Sequence, residues 1–262
     1  MEVLMRPRAS FMKNCVKAAP CPHHPSSIIH HLLLPIFLLF CLLPSAFAGT
    51  PGSVQATYDV YKNGVRVGKM EETYTRNGNR YTLSSVTTPA DLLAIFKPGK
   101  IFSHSSGLIG KQGLQPLAFS HRRERDEKKN SQAEFDWKTK QLTLIHQGQR
   151  TTAALPDGTQ DRLSAMYQFM FLALKPETKL AFSMTNGSKL DSYLYAVSAG
   201  GQLKTPAGEF NTLYLDNQAP AGEHRTEIWL AVQQGNLPCK MILTDSKGDQ
   251  LTQVLSKLTI KP

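Results

Sequence analysis

The chain has 262 residues, 41% of them hydrophobic, and a formal net charge of +10. A chain of this length can bury a hydrophobic core without disulfide bonds, so one large β domain or two small domains would fit it. The sequence lacks the glycine loops that bind nucleotide phosphates, GxxxxGK[ST] and GxGxxG, and we expect no cofactor.

The first 48 residues have the layout of a secretory signal peptide. The apolar core, Leu32–Leu43, is too short to span a bilayer comfortably, and Ala46-Phe47-Ala48 follows it as a cleavage motif. Basic residues precede the core, as a signal peptide requires. We predict export to the periplasm with cleavage after Ala48, and an uncleaved membrane anchor is the alternative. The candidate start residues are Met1, Met5 and Met12.

Residues 49–262 remain after cleavage, and we predict that they form a single β-rich domain. The leader carries three of the four cysteines, four basic residues and one acidic residue, so the net charge falls from +10 to +7. The remaining cysteine, Cys239, can form neither an intramolecular disulfide nor a cysteine-based metal site. Because it lies within a strand pattern, we interpret it as a small packed hydrophobe.

Short strands joined by turn residues dominate this domain. Apolar and polar residues alternate from Val54 to Val60, and the dipeptides Asn63-Gly64 and Asn77-Gly78 suit two-residue hairpin turns. Similar patterns recur at spacings of about 8–12 residues to the end of the chain. We therefore predict a mainly β fold, in which a curved antiparallel sheet of about a dozen strands forms a half-open barrel or a sandwich.

One long helical pattern interrupts the strands, at Gln160–Leu174. Its apolar residues recur at i, i+3, i+4, i+7, i+8 and i+11, which predicts one helical face: Leu163, Met166, Tyr167, Met170, Phe171 and Leu174. Asp157 or Thr159 is the predicted N-cap, and Lys175 with Pro176 is predicted to end the helix. We expect this amphipathic helix to lie centrally, against the concave face of the sheet.

Two further segments need an interpretation. The proline-bounded segment Pro89–Gly99 is either a short helical turn that caps the core or an apolar flap at the mouth of a cavity. The charged segment Arg122–Lys129 interleaves acids with bases and contains no aromatic residue. We interpret it as a solvated hairpin and expect no nucleic-acid partner.

Residues with catalytic or metal-binding chemistry are scattered. The histidines of the mature chain are far apart in sequence, and we interpret them as surface or strand-end residues: His104, His121, His146 and His224. The stretch Ser103–Gly107 has no GxSxG elbow, and a turn is sufficient to explain Asp245 and Asp249 without calcium. We therefore predict no catalytic residues and no metal site.

Several stretches together resemble a bacterial exported family known as domain of unknown function 3108. They are YDVYKNGVRVGKM (Tyr58–Met70), GLQPLAFS (Gly113–Ser120), FDW (Phe135–Trp137), DRLSAMY (Asp161–Tyr167), TPAGEF (Thr205–Phe210) and TEIWLAVQQGNLPCKM (Thr226–Met241). The resemblance implies a periplasmic protein with a curved antiparallel sheet around a helix, similar in outline to the half-barrels of lipoprotein carriers. It brings no established catalytic residues. The chain departs from the implied pattern at Gln168-Phe169-Met170, which is more apolar, and at Cys239.

The leading functional hypothesis is a non-enzymatic periplasmic protein that binds a lipid or another apolar or amphipathic ligand in the concave face of its sheet. Its predicted ligand-binding residues come from the apolar flap and the helix: Leu92, Leu93, Ile95, Phe96, Tyr167 and Phe171. One alternative is a cell-envelope scaffold that contacts a protein or the membrane surface, for example through an exposed strand edge. The other is an envelope hydrolase, for which His104, Ser105 and an acid would have to lie within hydrogen-bond reach. The ligand and the oligomeric state are left open.

Overall fold

The computed structural model of the protein describes residues 50–90, 99–220 and 222–262. The strands of the first half are β1 (Ser53–Lys62), β2 (Val65–Asn77), β3 (Arg80–Pro89), β4 (Ile101–Gly110), β5 (Gly113–Arg123), β6 (Ser131–Asp136), β7 (Gln141–His146) and β8 (Gln149–Ala154). The second half contains β9 (Gln160–Asp161), helix α1 (Ser164–Gln168), β10 (Thr178–Thr185), β11 (Leu190–Thr205), β12 (Gly208–Asp216), β13 (Arg225–Ala231), β14 (Leu237–Thr244) and β15 (Gln250–Lys261). Short 3-10 helices lie at Glu127–Lys129, Phe169–Phe171 and Val232–Gln234.

All fifteen strands belong to one sheet. Strands β1–β8 pair in sequence order, strands β15–β9 pair in the reverse order, and β1 pairs with β15 to join the two series. Every pair is antiparallel except β9 with β10. The sheet begins at β8 and ends at β9 without closing, so the mainly β prediction is confirmed, with fifteen strands and the half-open arrangement of a single sheet.

Side-chain hydrogen bonds draw the two ends of the sheet together where no strand ladder joins them. Nε2 of Gln160 on β9 donates to the carbonyl oxygen of Leu114 on β5 at 2.9 Å. Oγ of Ser131 on β6 donates to the carbonyl oxygen of Asn186 at 2.7 Å. The sheet is therefore curved, and its concave face carries the buried core.

The local patterns read from the sequence produce the expected strands. The alternation in β1 buries Val54, Ala56, Tyr58 and Val60 on one face. Asn63 and Gly64 adopt φ values of 48° and 80°, as a two-residue hairpin turn requires. The next turn lies one residue later than predicted, because Asn77 still pairs with Arg80 and Gly78 with Asn79 makes the turn. Cys239 is fully buried, as the packed-hydrophobe interpretation requires, and burial raises the pKa of its thiol to about 12.

The helix is much shorter than the predicted range Gln160–Leu174. Gln160 and Asp161 form β9, five residues form α1, and a 3-10 turn ends the helical segment at Phe171. Its fully buried side chains include Tyr167 and Phe169. Phe169 was not on the predicted face, and the tighter winding of the 3-10 turn explains the shift. The segment nevertheless packs inside the sheet, against β5, β9 and β14.

The predicted N-caps are wrong, and Asp161 has that role instead. Its Oδ1 accepts the backbone N–H groups of Leu163 and Ser164 at 2.9 and 2.8 Å. The Asp157 side chain is exposed and pairs with Lys140, while the Thr159 hydroxyl donates to the Pro156 carbonyl. Because the chain first pairs as β9, an acceptor at the end of that strand is in position to begin the helix.

Gln168 fastens α1 to the turn between β4 and β5. Its Oε1 accepts the Leu114 N–H and its Nε2 donates to the Gln112 carbonyl oxygen, both at 2.7 Å. Gly113, at φ 100°, leaves the space for this contact, since a Cβ there would lie 2.5 Å from the Gln168 Oε1. The polar residue in the middle of the apolar helix therefore has a structural role.

A Gly113→Ala substitution is expected to lower the free energy of unfolding by about 2 kcal/mol, because it adds a clash to the strain of a positive φ. Gly148→Ala is the control: Gly148 has φ 74° but no atom within 4 Å of a built Cβ, so only the strain of about 1 kcal/mol applies. Urea denaturation of both variants measures the difference. Equal losses would show that the Gln168 contact is not as tight as described.

Candidate functional site

A cavity of about 610 Å³ lies on the concave face of the sheet. Strands β1–β5, β14 and β15 line it, together with Arg162 and Leu163 after β9 and Met166 of α1. Its volume is within the range of about 300–1,000 Å³ that is usual for small-molecule sites. It is therefore the candidate binding site.

One wall of the cavity is apolar. It is formed by strands that are neighbours in the sheet, β14, β15, β1 and β2, and by the helical segment. Its side chains are Val60, Met70, Leu163, Met166, Met241 and Leu251. Three of these are methionines, whose flexible side chains adapt to irregular apolar partners.

The adjoining wall, on the other side of β2, carries a row of polar residues, which we call the polar row: Glu72, Ser85, Ser103 and His121. Glu72 of β2 pairs with Ser85 of β3, Ser85 pairs with Ser103 of β4, and Ser103 pairs with His121 of β5. Residues that pair directly across a sheet lie on the same face. The polar row therefore crosses four strands side by side, facing the cavity.

His121 is held in its neutral form. Its Nδ1 lies 3.0 Å from Oγ of Ser103. Burial, followed by the positive charges of Arg162 and Arg123, lowers the pKa of the imidazole to about 4. At neutral pH this side chain adds hydrogen-bonding capacity to the cavity but no charge.

The side chain of Glu72 is an unusually weak carboxylic acid. The residue is only 7% exposed, and burial raises its pKa from 4.5 to about 7. The Tyr167 and Ser85 hydroxyls and the Arg162 charge oppose this rise but do not cancel it. The Tyr167 hydroxyl is buried and, within the described ranges, has no hydrogen-bond partner of normal geometry.

Two arginines complete the site. The Arg162 side chain is accessible in the cavity, and its backbone N–H bonds the Thr185 carbonyl oxygen at 2.9 Å. Arg123 follows His121 by two residues on β5 and so shares its inward face. Desolvation and then the charge of Arg123 lower the pKa of Arg162, so the two guanidinium groups repel each other across the cavity.

Of the six residues predicted to bind ligand, the structure describes Tyr167 and Phe171, and neither lines this cavity. Leu92, Leu93, Ile95 and Phe96 lie outside the described residues, although Pro89 and Gly99 on either side of them line the cavity. Tyr167 is fully buried and stacks on Tyr74, with ring centroids 5.7 Å apart. Phe171 lines a separate cavity of about 360 Å³ with Phe169, Leu172, Leu180 and Phe182. A role for these six residues in binding stays a prediction.

The interpretation of His121 as a surface residue is wrong, whereas most of the charged segment is exposed, as a solvated hairpin requires, with Arg123 and Asp126 lining the cavity. His121 is buried, and Arg123 faces the cavity beside it. The signal was available in the sequence, because Phe119, His121 and Arg123 continue the alternation of β5 into the charged segment. No sequence pattern indicates that Arg162 lines the cavity, since its position depends on the pairing of the short strand β9 with β10.

The residues named for the hydrolase alternative do not form a catalytic group. His104 is exposed, whereas Ser105 is buried on the other face and donates to Oδ2 of Asp161 at 2.5 Å. Ser103 and His121 do form a pair, but Glu72 lies three strands from His121, about 14 Å away at the usual strand spacing. That is beyond the hydrogen-bond reach that general-base catalysis needs. Within the described ranges, no group of three or more His, Cys, Asp or Glu side chains could hold a metal ion.

The fold and the cavity define a class of protein: a single curved β sheet that partly encloses a short helix and a cavity with one apolar and one polar wall. The chain belongs to the family described as protein of unknown function (DUF3108), whose model matches residues 57–256. The resemblance drawn from the sequence motifs is thereby confirmed. A comparison with curated proteins gives no match.

Two solved structures are similar to this chain. One is a beta-barrel-like protein of domain of unknown function DUF1849 from Brucella abortus, with 13% identity and a TM-score of 0.42 over 81% of this chain and 99% of that chain. The other is a candidate lipoprotein from Parabacteroides distasonis, with 10% identity and a TM-score of 0.34 over 80% of this chain and 96% of that chain. A fold-level likeness does not assign function. In the described part of our chain, no helix has the length and apolar character needed to cross a membrane.

Proposed function

We propose that the protein is exported to the periplasm, where it binds an amphipathic lipid or a similar small molecule in the concave cavity. The observation that carries the proposal is the division of one cavity of about 610 Å³ between an apolar wall and the polar row. Binding sites for small molecules typically combine a mostly apolar surface with a few polar groups that fix orientation. The predicted signal peptide supports the export.

The energetics of the apolar wall also favour an occupant. Side chains such as Met166 and Met241 border the cavity instead of packing against other residues on that side. Covering such apolar surface contributes about 25 cal/mol per Å² removed from water. An alkyl or acyl chain would cover these side chains.

The test is to purify the protein from the periplasm, extract it with organic solvent and identify the extracted lipids by mass spectrometry. We expect one lipid class at a stoichiometry near one per chain. An extract without lipid, together with failure of added dodecanoate to bind the purified protein, would contradict the proposal.

A Met241→Gln substitution is expected to weaken binding of a dodecyl chain about 10-fold, because it replaces an apolar contact with an amide of similar size. The matched control is Ile242→Gln, at the next residue of β14, which does not line the cavity. Isothermal titration calorimetry with dodecanoate measures both variants. The apolar wall would not be the binding surface if Met241→Gln bound as tightly as the control.

The scaffold alternative depends on strand β8, whose outer edge is unpaired. Its sequence, QRTTAA, is polar and mostly exposed, and Arg150 pairs with Glu134 on its surface. Polar and charged side chains on an edge strand are typical of edges protected against pairing with another chain. The cavity is therefore the better-supported site.

A further inference from the structure

Among the residues that the structure describes, the charges around the cavity do not balance. The ionisable residues that line it are Lys62, Glu72, His121, Arg123, Asp126 and Arg162. Two of them already have partners at the rim, because Lys62 pairs with Asp249 at 3.1 Å and Asp126 pairs with Lys129 at 2.9 Å. The groups that remain are one carboxyl, one imidazole and two guanidinium groups.

Neither guanidinium group forms an ion pair within 4.0 Å in the part of the chain that the structure describes. Nε of Arg123 is buried and has no hydrogen-bond partner there. A buried donor without an acceptor costs about 1–3 kcal/mol, and more when it is charged. Arg162 is accessible in the cavity and not buried, and its positive charge repels that of Arg123, which adds to the cost.

We propose that the cavity selects an anionic headgroup, a carboxylate or a phosphate carried on an alkyl or acyl chain, and that Arg162 and Arg123 bind this headgroup. The inference rests on the proposed function and names the ligand class. Guanidinium groups bind planar carboxylates and phosphates through paired, charge-assisted hydrogen bonds. Such an anion would supply the missing acceptors and relieve the repulsion between the two arginines.

The position of Arg162 connects the two walls. It immediately precedes Leu163, and Met166 follows one helical turn later, so Arg162 adjoins the apolar wall in sequence. On the other side its charge acts on Glu72 and His121 of the polar row. An amphiphile with its anion at Arg162 therefore has apolar side chains for its tail in the same cavity.

Glu72 is the acid of the polar row that acts on Arg162, and its charge has to be considered against an anionic ligand. Because burial raises the pKa of Glu72 to about 7, the carboxyl is about half protonated at neutral pH. Its negative charge therefore offsets less than one of the two arginines. His121 stays neutral at this pH and can donate or accept a hydrogen bond.

The experiment compares probes with the same tail and different headgroups. Calorimetry at pH 7 measures dodecanoate, dodecyl phosphate and dodecanol, with acetate and inorganic phosphate as anions that have no tail. We expect one or both anionic amphiphiles to bind at least 10-fold more tightly than dodecanol, and which of the two binds more tightly identifies carboxylate or phosphate. We expect the anions without a tail to bind at least 100-fold more weakly.

Two variants assign the effect to the site. Arg162→Gln should reduce the preference for the anion over dodecanol at least 10-fold. The control is Arg122→Gln, which removes the same charge one residue from Arg123 but on the exposed side, where Arg122 lies over the ring of Phe102. It should leave the preference intact. Should Arg162→Gln fail to fold, the comparison of probes on the wild-type protein still tests whether the cavity prefers an anionic headgroup.

The possible failures are distinguishable. Equal binding of dodecanoate, dodecyl phosphate and dodecanol would overturn the anionic headgroup but leave ligand binding in the cavity standing. Tight binding of acetate or inorganic phosphate would overturn the amphiphile in favour of a free-anion site. Failure of all dodecyl probes to bind would overturn both the inference and the proposed function.

Discussion

Replacing Asp161 with alanine is expected to lower the free energy of unfolding by about 3 kcal/mol, because three buried donors lose their acceptor at once. The carboxylate accepts the Ser105 hydroxyl at 2.5 Å and the N–H groups of Leu163 and Ser164 at 2.9 and 2.8 Å. The side chain is fully buried and joins β4 to the start of α1. Urea denaturation at pH 7 measures the loss.

Asp157→Ala is the matched control for this substitution. Asp157 lies four residues earlier and was the predicted N-cap, but its side chain is exposed and pairs only with Lys140 at the surface. A surface ion pair contributes about 0–1 kcal/mol, so we expect a small loss. Losses of the same size in both variants would show that the helix does not begin at Asp161.

The contribution of Glu72 to the stability of the ligand-free protein, measured as the difference between the wild type and Glu72→Gln, is expected to fall by about 3 kcal/mol as the pH rises from 4.5 to 7. His121, whose pKa is lowered, acts in the opposite direction in both proteins, so the total stability does not show this fall. In the unfolded chain the carboxyl loses its proton near 4.5, whereas in the folded protein it keeps the proton until about pH 7. The stabilising effect is therefore fully present below pH 4.5 and is lost as the pH passes through the folded pKa. Glu72→Gln, which resembles the protonated acid, should lack this contribution while keeping that of His121.

Urea denaturation at pH 5, 7 and 8 measures this prediction. At pH 5 Glu72→Gln should be about as stable as the wild type, and at pH 8 it should be the more stable of the two. Glu71→Gln is the control at the next residue, where the side chain is exposed and pairs with Lys69. A constant difference between wild type and Glu72→Gln at all three pH values would contradict the raised pKa.

Local sequence patterns were sufficient to predict the sheet. The alternation from Val54 to Val60 and the turn at Asn63-Gly64 act over a few residues, so they determine strand and hairpin without reference to the rest of the chain. The central place of the helix also followed from its apolar face. In each case the residues that determine the local structure lie within the segment itself.

The length of the helix and the content of the cavity could not be predicted in this way, because both depend on distant partners. Gln160 and Asp161 pair with β10, which comes after the helix in sequence, and this pairing takes two residues from the helical pattern. The polar row exists only once four strands are aligned in register. No local sequence pattern predicts which residues will lie beside Glu72 or Ser103 in the folded sheet.

His121 and Arg123 are an intermediate case. Their alternation with Phe119 predicts an inward face, but the surrounding charges predict a solvated loop, and the composition was given more weight. The structure shows that the strand continues to Arg123 before the charged turn begins. Charged residues at the end of a strand can therefore line a cavity even when the segment as a whole is polar.

A crystal structure of the protein with dodecanoate bound tests the central claim most directly. We predict that the carboxylate lies within hydrogen-bond distance of the guanidinium groups of Arg162 and Arg123, with the tail along Met166 and Met241. Dodecanoate bound instead beside Phe171 in the smaller cavity, or a concave face filled entirely by the protein's own side chains, would contradict it.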